Sequence, residues 1–332
     1  MPLFARDCHH RVCLDNLLDL SIWITLLDQL SDGARNSYSP NQSYRDNPTW
    51  SFLLYGFHFV ASEGQDPAFM EQDILIENQR AQAILRELLR DGNITVEQMV
   101  QTFDVSHASI RRDLRELERA GLLRRTRGGA VLVEPALYEP FRHVSSFGEQ
   151  EQLCLAEKRR IGLAAADMIA EGEIVSLGAG TTATQVARGI RHRKNITVVT
   201  NAVNIAMELS HRSELKIFMS GGVLSSDWFT LVGAAAIQSI SEMFVDKIFL
   251  GIDGIHPQHG LTTNYPDHAA IHRQMLQQAR YRVIVADHRK INVTGAMLIC
   301  PLDGINLLIT DKGATKAMLA PLLNEGINIQ CV

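Results

Sequence analysis

Arginine dominates one short stretch of this chain, residues 105–130. The stretch holds seven arginines and three acids, so its net charge is +4, whereas the whole chain of 332 residues carries −5. A guanidinium group binds phosphate oxygens, and it can also donate two hydrogen bonds to one guanine base. A basic surface on an otherwise acidic protein favours docking on nucleic acid at one site and in one orientation. The stretch is therefore a candidate DNA-binding surface.

A second set of residues has the chemistry of an anion site. Residues 178–182, Gly-Ala-Gly-Thr-Thr, follow a β-rich run and open a helical pattern. Backbone N–H groups at a helix N-terminus, together with two hydroxyls, suit a phosphate. Polar or glycine-rich loops follow the other β-rich runs, and in an open α/β sheet such loops converge on one crevice. The binding candidates in these loops are Gly180, Thr181, Thr182, Asn201, Gly221, Gly222, Asp253, Asp287 and Lys290. For Asp287 a loop cap is as good an interpretation as ligand contact. Taken together, these loops suit a polyol phosphate.

The residues before and within the arginine stretch predict helices separated by a turn. Apolar residues at helical spacing predict a first helix over residues 77–90. Thr95 and Gln98 form a capping box, which predicts a second helix over Val96–Phe103. The Ser106 hydroxyl is then placed to cap the arginine-bearing helix, and Gly121 to end it. The pattern is that of a helix-turn-helix.

The arginine-bearing helix has one apolar face. Ile110, Leu114 and Leu117 recur at helical spacing and are expected to face the core. The first turns of such a helix meet base edges in the major groove. The candidates for base contact are His107, Ala108, Ser109 and Arg112, and Ser106 is counted with the DNA-binding residues.

A basic hairpin, or wing, is predicted after this helix. Its strands cover residues 122–126 and 130–133, and the glycines of the connecting turn at 127–129 are expected to adopt positive φ. Arginines of the wing and of the helix are expected to hold phosphates, which fixes register without specifying sequence. These candidates are Arg111, Arg115, Arg124, Arg125 and Arg127. The alternative is a solvated helix face paired with the three acids of the stretch, and we favour it for Arg119 only.

Residues 157–332 alternate β-rich runs with helical patterns, which predicts an open, mostly parallel α/β sheet. The runs cover residues 174–177, 196–200, 215–219, 247–251, 283–286 and 307–310. We therefore predict a winged helix-turn-helix domain over 70–133, a linker over 134–156 and a ligand-sensing α/β domain over 157–332. Residues 1–69 match neither pattern. We interpret them as an over-extended reading frame with Met70 as the natural start; the alternative is a genuine, poorly ordered extension.

The run from Ser106 to Ala130, with Ser-Ile-Arg-Arg-Asp-Leu at its centre and Gly-Gly-Ala at its end, closely resembles the head of the DeoR family of bacterial transcriptional regulators. The resemblance covers about residues 77–332. It implies a head that binds operator DNA, usually as a repressor of carbohydrate-metabolism genes. It also implies a C-terminal domain with the ribose-5-phosphate isomerase fold that senses a phosphorylated sugar. The family's Asp-x-x-Lys is matched by Asp287 and Lys290.

Two positions depart from the family's pattern. The family usually has Asp-Ser-Gly-Thr-Thr at the first loop, where this chain has Gly178 and Ala179 in place of the Asp and Ser. The family commonly has an acid where this chain has His268, and Asp267 keeps the acidic match. Asp267 is therefore added to the effector-binding candidates. Both departures indicate an effector unlike those of the best-known members.

Other functional classes are less well supported. A sugar-phosphate isomerase needs a carboxylate base, and this chain keeps Asp253 but has Leu250 at the second acidic position of those enzymes. His268 or His272 could serve instead, but single helical histidines are more often packing residues. A constitutive architectural DNA binder would not need so large a second domain. We expect a cytoplasmic homo-oligomer with reduced cysteines, without a membrane segment, metal or cofactor, whose partners are operator DNA and a sugar-phosphate effector.

Overall fold

A computed structural model describes residues 78–133, 146–210 and 212–332. The predictions for residues 1–69, including the start at Met70, lie outside the described residues. The N-terminal part of the described chain is a helix-turn-helix followed by a wing. Its elements are α1 Gln79–Asp91, β1 Asn93–Thr95, α2 Val96–Phe103, α3 His107–Arg119, β2 Leu123–Arg125 and β3 Gly129–Leu132.

Local signals set the helix limits of this head. The Thr95 hydroxyl accepts from the Gln98 backbone N–H, and the Gln98 side chain accepts from the Thr95 N–H, so the capping box is formed. The Ser106 hydroxyl accepts from the Ser109 N–H at 3.2 Å. Ile110 and Leu117 are fully buried, as their helical spacing predicts. The sequence therefore predicted α2 and α3 closely, but not the short strand β1.

The wing is built differently from the prediction. β3 pairs with β2 and also with β1, where Thr95 lies opposite Gly129. The expected positive φ in the turn is wrong, because neither Gly128 nor Gly129 is among the positive-φ glycines. Gly129 is required for close approach instead: a Cβ there would lie 1.8 Å from the carbonyl oxygen of Ile94.

Part of the stretch predicted as a linker is packed. Residues 134–145 lie outside the described ranges, but α4, Ser146–Gln152, is a helix whose Phe147 is fully buried. Phe147 meets the ring of Phe229 edge-on at 5.4 Å between centroids. The domain limits given above stay predictions.

The C-terminal part is centred on a seven-stranded sheet in which every neighbouring pair is parallel. The strands are β4 Ile174–Leu177, β5 Ile196–Thr200, β6 Leu215–Met219, β9 Val245–Leu250, β12 Ala279–Val285, β14 Leu307–Thr310 and β15 Ile329–Cys331. Their order in the sheet is β15-β14-β12-β9-β4-β5-β6. All six predicted runs are strands of this sheet, and β15 is a seventh that was not predicted.

Helices cover both faces of the sheet, which explains why its central strands are almost wholly apolar. The helices are α5 Leu155–Asp167, α6 Thr181–Ile190, α7 Val203–Leu209, α8 Ala234–Ser241, α9 Pro266–Gln277 and α10 Lys316–Asn324. One core joins the sheet to α8, α9 and α10, and the other joins it to α5, α6 and α7. None of the helices in the described ranges is long and apolar enough to cross a membrane.

Two small antiparallel sheets flank the large one, and the sequence did not predict them. One is the hairpin of β7 Val223–Ser225 and β8 Thr230–Val232, and the other joins β10 Gly254–His256, β11 Gly260–Thr263 and β13 Met297–Cys300. The chain runs outward from β4 through β5 and β6 and then returns to place β9 on the other side of β4. Ligands of open α/β sheets bind at such a reversal, outside the carboxyl ends of the strands.

Candidate effector cavity and DNA-binding surface

The arginines predicted to meet DNA lie on an open surface of the head. Arg111, Arg112, Arg124 and Arg127 are exposed, and none of them forms an ion pair with another described residue. Arg115 is exposed as well, and its Nε donates to the Arg111 carbonyl at 3.2 Å. These guanidinium groups are available to an external anion.

Two acids of the stretch have partners: Asp113 pairs outside the stretch, whereas Glu118 pairs with Arg125, as the alternative assumed. Asp113 is fully buried and accepts from Nε of Arg80 at 2.5 Å and from Nδ2 of Asn78 at 2.9 Å, so it ties α3 to α1. Glu118 accepts from the backbone N–H of Arg125 at 2.9 Å and pairs with its guanidinium. These hydrogen bonds hold the pKa of Glu118 below its ordinary value. Among the described residues Arg119, which was expected to pair, has no ion-pair partner.

A cavity, partly open to solvent, lies outside the carboxyl ends of β4, β9 and β12. The predicted residues Gly180, Thr181, Thr182, Asp253, Asp287 and Lys290 are all in its lining. The sequence did not single out other lining residues, namely Gln150, Lys158, Trp228, Ile252, Thr263, Tyr265 and Ala286.

The N-terminus of α6 forms one side of the cavity. Gly180 precedes the helix with φ 126°, a conformation that an L side chain rarely adopts. No side chain caps this helix. The N–H groups of its first turn therefore have no intrahelical or capping partner and can bind an anion.

Lys158 brings a buried cation to the same cavity. Only 1% of this side chain is exposed, and its Nζ donates to the carbonyl oxygen of Gln150. Burial lowers the pKa of Lys158 to about 8, although the charge of Asp287 acts to raise it. Lys158 does not stand out in the sequence, because it lies in the charged run Glu-Lys-Arg-Arg, which is typical of a solvated helix start. We call the α6 N-terminus together with Lys158 the phosphate cradle.

The two acids of the cavity are held by neighbouring groups. Oδ2 of Asp253 accepts from the Thr263 hydroxyl at 2.8 Å, and Oδ1 lies 3.9 Å from Nζ of Lys290. Asp287 accepts from the Arg289 backbone N–H at 3.1 Å and from its guanidinium at 2.8 Å. Burial acts to raise the pKa of Asp287, but the bonds and charge of Arg289 prevail and lower it. Asp287 is thus the loop cap that we considered, and it also lines the cavity.

Four predicted effector residues are not in the lining. Asn201 is buried and its Nδ2 donates to the Thr230 hydroxyl at 2.7 Å, which fastens the β7–β8 hairpin. Gly221 and Gly222 are exposed in the loop before β7. Asp267 is exposed on α9, whereas its neighbour His268 is buried and lines the cavity. Adjacent helix positions are about 100° apart, so only one of the two can face the cavity.

Rings form another part of the cavity, which we call the aromatic wall: Trp228, Tyr265, His268 and His272. Neighbouring ring centroids lie 5.8 Å apart for Trp228 and Tyr265, 4.9 Å for Tyr265 and His268, and 6.0 Å for His268 and His272. The histidines are one helical turn apart on α9 and so share its cavity face. Burial lowers the pKa of both, to about 3 for His272. Both imidazoles are therefore neutral near pH 7.

One group of three metal-ligating side chains comes together in the described part of the chain. Ligand atoms of Cys154, Asp287 and His288 lie within 4.8 Å of one another. Asp287 already accepts from Arg289, and Nδ1 of His288 lies 2.9 Å from Asp311. Ion pairs thus account for this arrangement.

Comparison with known proteins places both parts of the chain in one family. Residues 80–136 match the DeoR-like helix-turn-helix domain, and residues 154–312 match the DeoR C terminal sensor domain. The HTH-type transcriptional repressor GlcR of Bacillus subtilis (strain 168) is 33% identical over 255 residues, which are 77% of this chain and 96% of that protein. The transcriptional repressor AccR of Agrobacterium fabrum (strain C58 / ATCC 33970) is 34% identical over 237 residues, 71% of this chain and 90% of that protein.

Solved structures are more distant. The ribose 5-phosphate isomerase A of Methanocaldococcus jannaschii matches 40% of this chain and 52% of its own, at 17% identity and a TM-score of 0.30. The curated relatives are named as repressors, which confirms the expectation of a DNA-binding regulator rather than an enzyme. Because its head and its sensor domain match the family's domains and its relatives are members, the chain belongs to the DeoR family of transcriptional regulators.

Proposed function

We propose that this regulator represses genes of carbohydrate metabolism and that a phosphorylated sugar in the cavity changes its affinity for operator DNA. The observation that carries the proposal is the phosphate cradle. A buried ammonium and the unpartnered N–H groups of a helix start meet in one cavity. Burial makes the charged form of Lys158 costly, the charge of Asp287 offsets part of this cost, and a phosphate would offset more of it.

On the DNA side, the first turns of α3 enter the major groove. Arg112, His107 and Ser109 are proposed to contact base edges, and Arg111, Arg124 and Arg127 to hold phosphates. Five of these six side chains are exposed, and Ser109 is half-buried, which supports this assignment. Arg125 contributes less, because its guanidinium is paired with Glu118.

The regulator is further proposed to act in the cytoplasm as a homo-oligomer. Two heads related by symmetry would bind two half-sites of one operator. The sugar phosphate would bind one arrangement of the heads better than the other and so shift the population. Release from DNA is the effect proposed here.

The test titrates the full chain onto a labelled duplex from upstream of its own gene, at fixed salt. It is repeated with a panel of pentose and hexose phosphates and with the matching free sugars. We expect saturable, sequence-specific binding that one phosphate weakens and its free sugar does not. Lys290→Ala should bind DNA normally and lose the response. Specific binding that no phosphate affects would refute the sensor part, and absence of specific binding would refute the DNA part.

A further inference from the structure

The aromatic wall contains polar atoms that have no partner. His272 is only 4% exposed, and neither Nδ1 nor Nε2 of its ring forms a hydrogen bond with a described residue. The indole Nε1 of Trp228 is likewise buried without a described partner. Buried polar atoms are nearly always hydrogen-bonded in folded proteins. Both residues line the cavity, so a ligand that fills it is the candidate partner for these atoms.

Two polar neighbours of the wall, Thr263 and Asp253, are already engaged with each other. The Thr263 hydroxyl donates to Asp253, and Asp253 also accepts from the Asn264 N–H at 2.9 Å. His268 lies 6.0 Å from His272 between ring centroids, and no hydrogen bond joins the two rings. The unpartnered nitrogens of the wall are thus left for a ligand.

The chemistry of these nitrogens selects the ligand group. Since its pKa is about 3, the His272 ring is neutral and offers one donor and one acceptor. The indole of Trp228 offers one donor. Hydroxyls both donate and accept, so two hydroxyls of a polyol can satisfy the two ring nitrogens, one on each side of the imidazole. A second anionic group at the aromatic wall would meet only single N–H donors. The cation Lys158 belongs to the phosphate cradle and not to the wall.

We propose that His272 and Trp228 form a hydroxyl-binding subsite for the sugar portion of the ligand whose phosphate occupies the cradle. This inference rests on the proposed function and adds a ligand class. The effector is a monophosphate of a neutral sugar, and it carries no second charged group at the aromatic wall. His272 and Trp228 then determine specificity, because inorganic phosphate does not reach them.

The test compares four full-length proteins by isothermal titration calorimetry: wild type, His272→Leu, Trp228→Phe and the control His259→Leu. His259 is exposed and stacks on His256 outside the cavity lining. The probes are inorganic phosphate, glucose 6-phosphate, fructose 6-phosphate and ribose 5-phosphate. Wild type should bind at least one of the sugar phosphates more tightly than inorganic phosphate.

For that sugar phosphate, His272→Leu should lower the affinity about tenfold or more, since two hydrogen bonds are lost. Trp228→Phe should lower the affinity for the sugar phosphate about threefold. If His272→Leu does not fold, Trp228→Phe is the variant that tests the subsite. Inorganic phosphate should bind all four proteins equally within about twofold. The thermal midpoint of ligand-free His272→Leu should equal or exceed that of wild type, because an unpartnered buried imidazole is removed.

Three results would overturn the subsite while leaving the anion site in place. In the first, His272→Leu and Trp228→Phe bind the sugar phosphate as tightly as wild type does. In the second, these variants lose affinity for inorganic phosphate as much as for the sugar phosphate. In the third, wild type binds no sugar phosphate more tightly than inorganic phosphate. If wild type binds neither phosphate nor any sugar phosphate, the proposed function fails and the subsite with it.

Discussion

At the scale of single residues, Lys158 is the group on which we expect anion binding in the cavity to depend. Its folded pKa of about 8 lies below the ordinary value of 10.5. The charged form is therefore disfavoured by folding, and this cost is present below about pH 8 and is relieved as the pH rises towards 10.5. A bound phosphate offsets the same cost, which links phosphate binding to protonation of Lys158.

We expect the affinity for inorganic phosphate to fall as the pH rises above about 8, because the empty site loses its proton there. The fall should approach about tenfold per pH unit. Calorimetric titrations between about pH 7 and about pH 9.5 measure it. Lys158→Met should bind phosphate weakly at every pH and show no such slope. Equal slopes in the two proteins would show that another group is responsible.

Arg112 is the residue on which base recognition is expected to depend. It is exposed at the start of α3 and has no ion-pair partner among the described residues. Arg112→Ala should cost about 1–3 kcal/mol in operator binding and should reduce the preference for operator over unrelated DNA. Arg125→Ala is the matched control, because its guanidinium is already paired with Glu118. Competition titrations measure both, and a larger loss of preference in Arg125→Ala would reverse the assignment.

At the scale of elements, the wing depends on one close backbone contact. A Cβ on Gly129 would lie 1.8 Å from Ile94 O and 2.8 Å from Thr95 Cα, so β3 could not stay paired with β1. Gly129→Ala should therefore destabilise the head by about 1–3 kcal/mol. Gly128→Ala should have little effect, because nothing lies within 4 Å of the added carbon. Urea unfolding of the two variants gives the comparison, and equal midpoints would contradict it.

Helix α9 shows how an element can change which residue is functional. The family likeness placed the acid at Asp267 in the site, but helical rotation turns His268 and His272 to the cavity and leaves Asp267 in solvent. Motif matching assigns a position along the chain, whereas the direction of a side chain depends on how the helix packs on the sheet.

At the scale of the whole described molecule, α5 joins the cavity to the head. Lys158 lines the cavity, Leu163 packs against the apolar core of the head, and the Asp167 carboxylate binds the Arg86 guanidinium of α1. A helix of 13 residues is about 20 Å long and nearly rigid. A shift of α5 on ligand binding would therefore reach α1 directly.

Leu163→Ala should weaken this link without touching either binding surface. The ratio of operator affinities without and with the active sugar phosphate gives the coupling free energy between the two sites. In Leu163→Ala this coupling free energy should be smaller by about 0.5–2 kcal/mol. Operator titrations measure the ratio, and each ligand's own affinity is measured in parallel. Arg280→Ala is the control, because it breaks an exposed ion pair with Asp246 within the sensor domain. Unchanged coupling in Leu163→Ala would exclude α5 as the connection.

Sequence alone determined the features that depend on local interactions. Ser106, Thr95 and the apolar spacing of α3 defined the recognition helix, and six β-rich runs defined most of the parallel sheet. Caps and periodicity act within a few residues, so they can be recognised along the chain. The loop at residues 180–182 was found for the same reason.

Tertiary structure alone decided which distant residues meet. Lys158 looks like a surface charge, and His272 like a packing residue, until the sheet order brings α5, α6 and α9 to one cavity. Asn201 looked like a ligand group, but its amide is needed by a hairpin about 30 residues further along. Burial and side-chain direction depend on packing between elements far apart in sequence, and no local pattern encodes that packing.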